Sequence, residues 1–491
     1  MTTTRTVELK AARKIRTPQH LTHSAAVFAG ALMMIWPAIY NGFPLLYPDS
    51  MTYLGDGPVL ARKLFLHQPS SYYGMRSFFY SLGILPLHWN ITAWPVVVFQ
   101  AILMSYILWL VVRSIVPRRI VPVYLALIAI LSALTTLSWY ASIIMPDILG
   151  PALYLTFYLL TFARERISRA ERLTIIGIAC WAVTAHATHI MLGAGLCLLL
   201  MAVTLLQRWP ARRFLSAAGE MTAILAIAAI AQLVLYGYFY GTVSLNGERP
   251  PYLMARVIAD GTGREYLAQH CGAHSWAICN RLQNLEGDAD HFLWDSDGGW
   301  GGASTEEQNE VRQEEVPFVL ATLRAYPRVQ FSKSMTAFWQ QLQTFGIEDL
   351  DPSSWVAKQF EEVLPDRRAN YLASRQANNT LYIEEFAAFQ IWVVRGFLLV
   401  MLIFLPFIWR RAPSRLIGLS VVVVWVVISN AFVTGTMSMV DERYGSRVIW
   451  LVPFLACLYV FDWFFDRKAA PTIQDHFSKN RSTSAMSWVS R

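Results

Sequence analysis

The sequence predicts an all-α polytopic membrane protein with about ten transmembrane helices and a mostly helical extramembrane domain. Three observations carry this. Of 491 residues, 55% are hydrophobic and only 15% charged, where soluble domains carry about a quarter charged residues. Apolar runs near membrane-spanning length recur along the chain. The short loops between them alternate between basic and acidic. The composition excludes an ordinary soluble enzyme, and also a disordered chain, which lacks apolar content.

The first stretch, 1–23, is polar and basic, with Arg5, Lys10, Arg13, Lys14 and Arg16. The apolar run 24–46 follows. It is too long for a signal-peptide core and lacks a small-residue cleavage pattern, so it reads as a retained anchor. The loop 47–88 opens on Tyr47-Pro48-Asp49-Ser50 and contains Asp56, then Tyr72-Tyr73-Gly74-Met75-Arg76-Ser77. Its last part, to Leu87, is apolar but too short to span, and reads as an amphipathic helix on the membrane surface. Further runs lie at 92–112, 120–138, 148–162, 173–186, 190–206 and 216–237, closing an N-terminal module over 24–238. Three of these runs fall short of the roughly 20 residues that a spanning helix needs. The last three runs, 388–409, 416–433 and 447–464, read as C-terminal transmembrane helices over 388–466, followed by a polar cytoplasmic tail, 467–491.

Between the two membrane regions lies 239–387, of ordinary soluble composition. Its second half, 306–345, has apolar residues at three-to-four spacing (Val316, Val319, Leu323; Phe331, Met335, Phe338, Leu342) and predicts helices. Cys271 and Cys279 are eight apart there, and predict a disulfide in an oxidising compartment. His270 and His274 have the spacing of a ligand pair, but the cysteine half of a zinc pattern is missing. Cys180, Cys197 and Cys457 lie in apolar runs and read as buried.

Every second short loop is basic: Arg113, Arg118 and Arg119; Arg164, Arg166, Arg169 and Arg172; Arg208, Arg212 and Arg213; Arg410, Arg411 and Arg415. The positive-inside rule puts these loops and both termini in the cytoplasm. The net charge of +8 is then a topogenic excess and no nucleic-acid signal. Most carboxylates fall on the other face.

Ionisable groups at membrane depth are costly and mark function. Asp49 follows the first span directly, and Asp56 stands two helical turns further on. Asp147, in Met145-Pro146-Asp147-Ile148, repeats the Pro-Asp dipeptide at a later outer edge. Each can be a general base, a solvated loop residue or, for Asp147 above all, a helix N-cap. His186 and His189 lie at i and i+3, on one helix face, as phosphate or metal ligands or as interfacial histidines with no ligand. Arg395 sits inside an apolar run. Arg443 and Arg447, in Asp441-Glu442-Arg443-Tyr444-Gly445-Ser446-Arg447, share a face at the mouth of the last span. They suit phosphate, or pairing with Asp441, Glu442 or lipid headgroups.

This arrangement resembles the GT-C superfamily of membrane glycosyltransferases. The matching residues are Asp49 in the first outer loop, Asp147 in the second, and Glu442-Arg443-Tyr444 before the final span. The resemblance covers the organisation of the first 190 and last 60 residues. It implies a polyprenyl-phosphate sugar donor, a lipid or glycan acceptor, and an inverting transfer on the periplasmic face of a bacterial inner membrane. In it Asp49 is the general base and Asp147 orients the acceptor or a metal. Asp56, Arg76, His186, His189, Arg395, Glu442, Arg443, Tyr444 and Arg447 are candidates for binding substrate. No cofactor is certain; a divalent Mg or Mn is left open, because Asp49 and Asp56 are not adjacent. Two rival classes are a lipid or polysaccharide transporter, which predicts inverted repeats, and a non-catalytic scaffold.

Overall fold

The computed structural model describes residues 19–68, 76–241, 245, 249–272, 276–409 and 413–466. The tails 1–18 and 467–491, Tyr72–Met75, His274, Arg410 and Arg411 therefore lie outside the described residues. The described chain is all-α, with no strand beyond one isolated backbone bridge. Eleven helices make the N-terminal module: α1 (Gln19–Met34), α2 (Trp36–Asn41), α3 (Pro48–Leu66), α4 (Phe78–His88), α5 (Trp94–Ile115), α6 (Ile120–Leu134), α7 (Leu137–Ser142), α8 (Leu149–Phe162), α9 (Arg169–Thr184), α10 (Ala187–Leu206) and α11 (Ala211–Tyr240). The middle segment carries α12 (Tyr252–Ala259), α13 (Thr262–His270), α14 (Ala289–Trp294), α15 (Thr305–Ala325), α16 (Pro327–Gln343), α17 (Ser354–Val363) and α18 (Arg368–Leu372). The C-terminal part is α19 (Ile383–Trp409), α20 (Ser414–Met437), α21 (Glu442–Ile449) and α22 (Leu451–Asp466).

Among the described residues, six helical stretches are long and apolar enough to cross a membrane, not ten: α5, α10, α11, the 383–403 part of α19, α20, and α21 with α22 over 442–463. The other four runs make helices of 16, 15, 14 and 16 residues, namely α1, α6, α8 and α9. The shortfall has a local cause in two of them. The run that begins with α1 breaks at Ile35, ahead of Trp36-Pro37, and resumes as the six-residue α2. The run that begins with α6 breaks at Thr135, whose hydroxyl donates to the Leu131 carbonyl, and resumes as the six-residue α7. The 14-residue α8 is buried along its whole length, packed by α5, α9, α10, α11 and α20. It is the centre of the bundle, which explains why it reads as apolar on every side.

The two breaks are alike. After α2 the chain runs through Leu45 to Pro48-Asp49; after α7 it runs through Ile143 to Pro146-Asp147. Leu45 and Ile143 form a parallel bridge: the Leu45 amide donates to the Ser142 carbonyl at 3.0 Å, and the Ile144 amide donates to the Leu45 carbonyl at 3.2 Å. Each Pro-Asp stands at the same offset from its bridge residue, so the bridge brings both aspartates to one end of the bundle. The helix expected on the membrane surface, α4, is not a free amphipathic helix. It packs against α3, α5 and α9, burying Phe78, Tyr80, Ile84 and Leu85.

The soluble-type segment 239–387 divides. Residues 254–319 build their own apolar core around Met254, Leu267, Phe292, Trp300 and Phe318. Cys271 and Cys279 are disulfide-bonded within it, and α15 and α16 confirm the helical second half. From Phe345 onward the chain packs into the main core instead. One buried residue secures that return: the Gln376 side chain accepts from the Leu46 amide (3.1 Å) and donates to the carbonyls of Leu46 (2.7 Å) and Leu350 (3.1 Å). Gln376→Leu orphans these buried backbone groups, each costing about 1–3 kcal/mol. The apparent melting temperature of the detergent-solubilised protein should fall by several degrees; an unchanged midpoint would show that the clamp contributes nothing.

Candidate functional site

Asp49 is the second residue of α3. Pro48 presets the first helical turn, and the Ser50 hydroxyl accepts from the Tyr47 amide at 2.9 Å. The carboxylate points away from the backbone and pairs with Arg76, and its Oδ2 lies 3.6 Å from Arg443 Nη1. Asp147 sits in a single 3₁₀ turn, Pro146–Ile148, one bridge-length from Ile143. It caps no helix: α8 has no side-chain cap. Its Oδ1 meets Arg443 Nε at 3.2 Å and Arg447 Nη1 at 3.4 Å. Asp147 and Arg447 are each 1% exposed. Burial pushes the Asp147 carboxyl up, but Arg443 and Arg447 outweigh it and hold the group well below the usual carboxylate range. Its second oxygen, Oδ2, has no hydrogen-bond partner among the described residues.

Both arginines are built in from several sides. Asp441 caps α21, its carboxylate accepting from the Arg443 amide at 2.7 Å. Gln341 of α16 clamps the Asp441 backbone, donating to its carbonyl at 2.8 Å and accepting from its amide at 2.9 Å. The Arg443 guanidinium lies over the Tyr47 ring, 4.7 Å from its centroid, and also near the Tyr444 ring at 5.7 Å. Arg447 donates twice to Asn430 Oδ1 on α20, at 3.0 and 2.7 Å, and Tyr444 lies beside it at 5.2 Å. Arg76 donates to the Tyr252 hydroxyl at 3.3 Å and lies 5.3 Å from the Trp294 ring, so the middle segment covers this end of the bundle.

Asp49, Asp147, Arg76, Arg443, Tyr444 and Arg447 therefore converge, as their sequence positions led us to expect. His186 and His189 stand beside this cluster, within electrostatic reach of Asp147 and Arg447, and Asp56, Glu442 and Arg395 lie outside its described ion pairs. Asp56 is seven residues along α3 from Asp49, about 10 Å of helix rise, and none of the cluster's ion pairs described above includes it. Glu442 turns away to accept from the Glu348 amide at 3.2 Å. Arg395 is exposed on α19, 5.5 Å from the Trp392 ring. His186 caps α10, accepting from the Thr188 amide at 3.2 Å. His189 is buried, and its Nδ1 donates to the Ala182 carbonyl at 2.7 Å. Its Nε2 is buried and has no hydrogen-bond partner among the described residues. Two further members escaped the sequence reading. Tyr53 is one turn after Asp49 on the same face. Burial and Asp49 push its phenol up, so it remains a hydrogen-bond donor. Asn430, a polar residue in an apolar run, carried a depth signal that could have found it.

Tyr47, Tyr140, Ile143, Met145, Asp147, Ile347, Leu350 and Arg443 line a small cavity of about 20 Å³, room for one water. A larger groove along Phe331, Met335 and Trp339 lies on the outside of α16, away from the ion pairs. The edge does not suit the Mg or Mn left open by the sequence. Its two carboxylates already face three guanidiniums, and among the described residues no third carboxylate, histidine or cysteine completes a metal-binding group with them.

No family model, curated protein or solved structure matches the chain. The geometry of the cluster is thus the firmest ground for a functional reading.

The depressed Asp147 pKa carries a sign. A carboxyl whose folded pKa lies below its ordinary value of 3.8 contributes stability above that pH and loses it as pH falls toward the depressed value. Between pH 6 and pH 3, wild-type thermal stability should therefore drop more steeply than that of Asp147→Asn. Parallel curves would show that Asp147 is not held by Arg443 and Arg447.

Proposed function

We propose that the chain is a membrane glycosyltransferase that moves a sugar from a polyprenyl-phosphate donor to a hydroxyl of a lipid or glycan acceptor. The reading places the reaction on the periplasmic face of a bacterial inner membrane, with both termini cytoplasmic. The observation that carries it is the convergence of two membrane-edge aspartates with Arg76, Arg443 and Arg447. Two negative and three positive groups leave one net positive charge in a desolvated setting, which favours an anionic ligand.

The chemistry follows from the charges. An incoming donor phosphate takes guanidinium donors from the carboxylates. Asp49, relieved of part of its pairing, accepts the acceptor hydroxyl's proton. The acceptor oxygen forms its bond to the sugar's anomeric carbon as the bond from that carbon to the phosphate oxygen breaks, and the electron pair leaves with the phosphate. Arg443 and Arg447 stabilise the charge that develops there. Attack opposite the leaving group inverts the anomeric centre. Tyr53 donates a hydrogen bond from beside Asp49. A ligand site is usually at least about 300 Å³, so the present cavity must widen. In this reading the 344–350 segment, which supplies Ile347 and Leu350 to its lining, moves aside as substrate enters.

The test is turnover of a panel of short-chain polyprenyl-phosphate sugars by purified protein, read as released polyprenyl phosphate. Asp49→Asn should lower the rate by roughly 10²- to 10⁴-fold while the protein still inserts and elutes as the wild type does. Turnover of Asp49→Asn at the wild-type rate, or no release by the wild type from any donor, would remove the reading.

A further inference from the structure

The middle segment holds a second cluster of metal-ligating side chains, separate from the arginine–aspartate edge. His291 and Asp295 are i and i+4 on α14 and its C-cap, so they share one face. The chain then turns back, and Asp297 comes to the same point. His291 Nε2 lies 3.4 Å from Asp297 Oδ1 and 4.0 Å from Asp295 Oδ2, and all three ligand atoms fall within 4.8 Å of one another. Ligands about 2.1 Å from a zinc-class ion stand about 3.4 Å apart in a tetrahedral shell, and wider in a more open one. The observed separations match that requirement with little movement.

The turn behind the cluster is fixed. The Gly298 amide donates to the Asp295 carbonyl at 3.0 Å, and the amides of Trp300 and Gly301 donate to the Phe292 carbonyl at 3.0 and 3.1 Å. A Cβ at Gly298 would lie 2.1 Å from the His291 carbonyl oxygen, so the turn sits directly on the helix and only glycine fits.

Charge points the same way. No lysine or arginine occurs between Arg281 and Arg312, a stretch that contains Glu286, Asp288, Asp290, Asp295, Asp297, Glu306, Glu307 and Glu310. Arg281 is itself engaged by Glu307. Among the described residues, the ion pairs of Asp295 and Asp297 are with His291. Imidazole with two carboxylates is a donor set for zinc and its neighbours, whereas calcium and magnesium prefer oxygen alone.

We propose that His291, Asp295 and Asp297 form a binding site for one zinc-class divalent cation. The site does not depend on the glycosyltransferase reading. It has a structural consequence, because Trp294, between two of the ligands, covers Arg76: a bound ion holds that cover in place.

The experiment is calorimetric titration of zinc chloride into the chelator-treated full-length protein in detergent, beside His291→Gln and Asp297→Asn. Asp297 has a side chain 77% exposed, so its replacement leaves the fold intact, which the metal-free melting curve verifies. One saturable site in the wild type, weakened at least tenfold in both variants, is the expected result. No saturable uptake, or equal uptake by wild type and variants, overturns the proposal.

Discussion

Two backbone hydrogen bonds around Leu45 organise the working end of this protein. They tie the chain just before Asp49 to the chain just before Asp147, and each aspartate follows its bridge residue at the same distance, behind a proline. The bridge costs little: it satisfies amide and carbonyl groups that the two helix breaks would otherwise leave bare in a buried place. It also fixes direction. A parallel pairing keeps both carboxylates on one side, and everything that follows in the chain has to meet them there.

What meets them is charge. Arg76 comes from the same N-terminal module, while Arg443 and Arg447 come from α21, 296 and 300 residues after Asp147. Buried ions are tolerated when each has partners and directed hydrogen bonds, and the cluster supplies them through Asn430, Tyr47, Tyr444 and the Gln341–Asp441 clamp. The surrounding apolar mass keeps water away and makes each interaction strong. The same property makes the arrangement sensitive to any anion that enters.

Much of this was legible in the sequence, and the exceptions are physical. The all-α membrane character and the helical hairpin α15–α16 followed from composition and spacing. The repeated Pro-Asp and the paired arginines were visible because charge is scarce in so apolar a chain. The helix count was overread because apolar runs do not show their breaks; Trp36-Pro37 and Thr135 divide runs that look continuous. Asp147 looked like a cap because local pattern favours capping, and a partner 296 residues away overrode it. Arg395 and His189 have the right residue type at the right depth. However, Arg395 faces outward from α19 and His189 stands beside the ion pairs without joining them, and hydropathy carries no record of direction. Tyr53 was missed because a tyrosine one turn from an aspartate is common.

The long separation between the aspartates and their arginines also has a meaning during synthesis. Arg76 emerges soon after Asp49 and can satisfy it early. Asp147 receives its guanidinium partners only when α21 is made. Until then the growing protein carries Asp147 without either of its arginines. The edge therefore closes last, and a ribosome that stops short of α21 releases a chain with its central helix surrounded but its central charge unanswered.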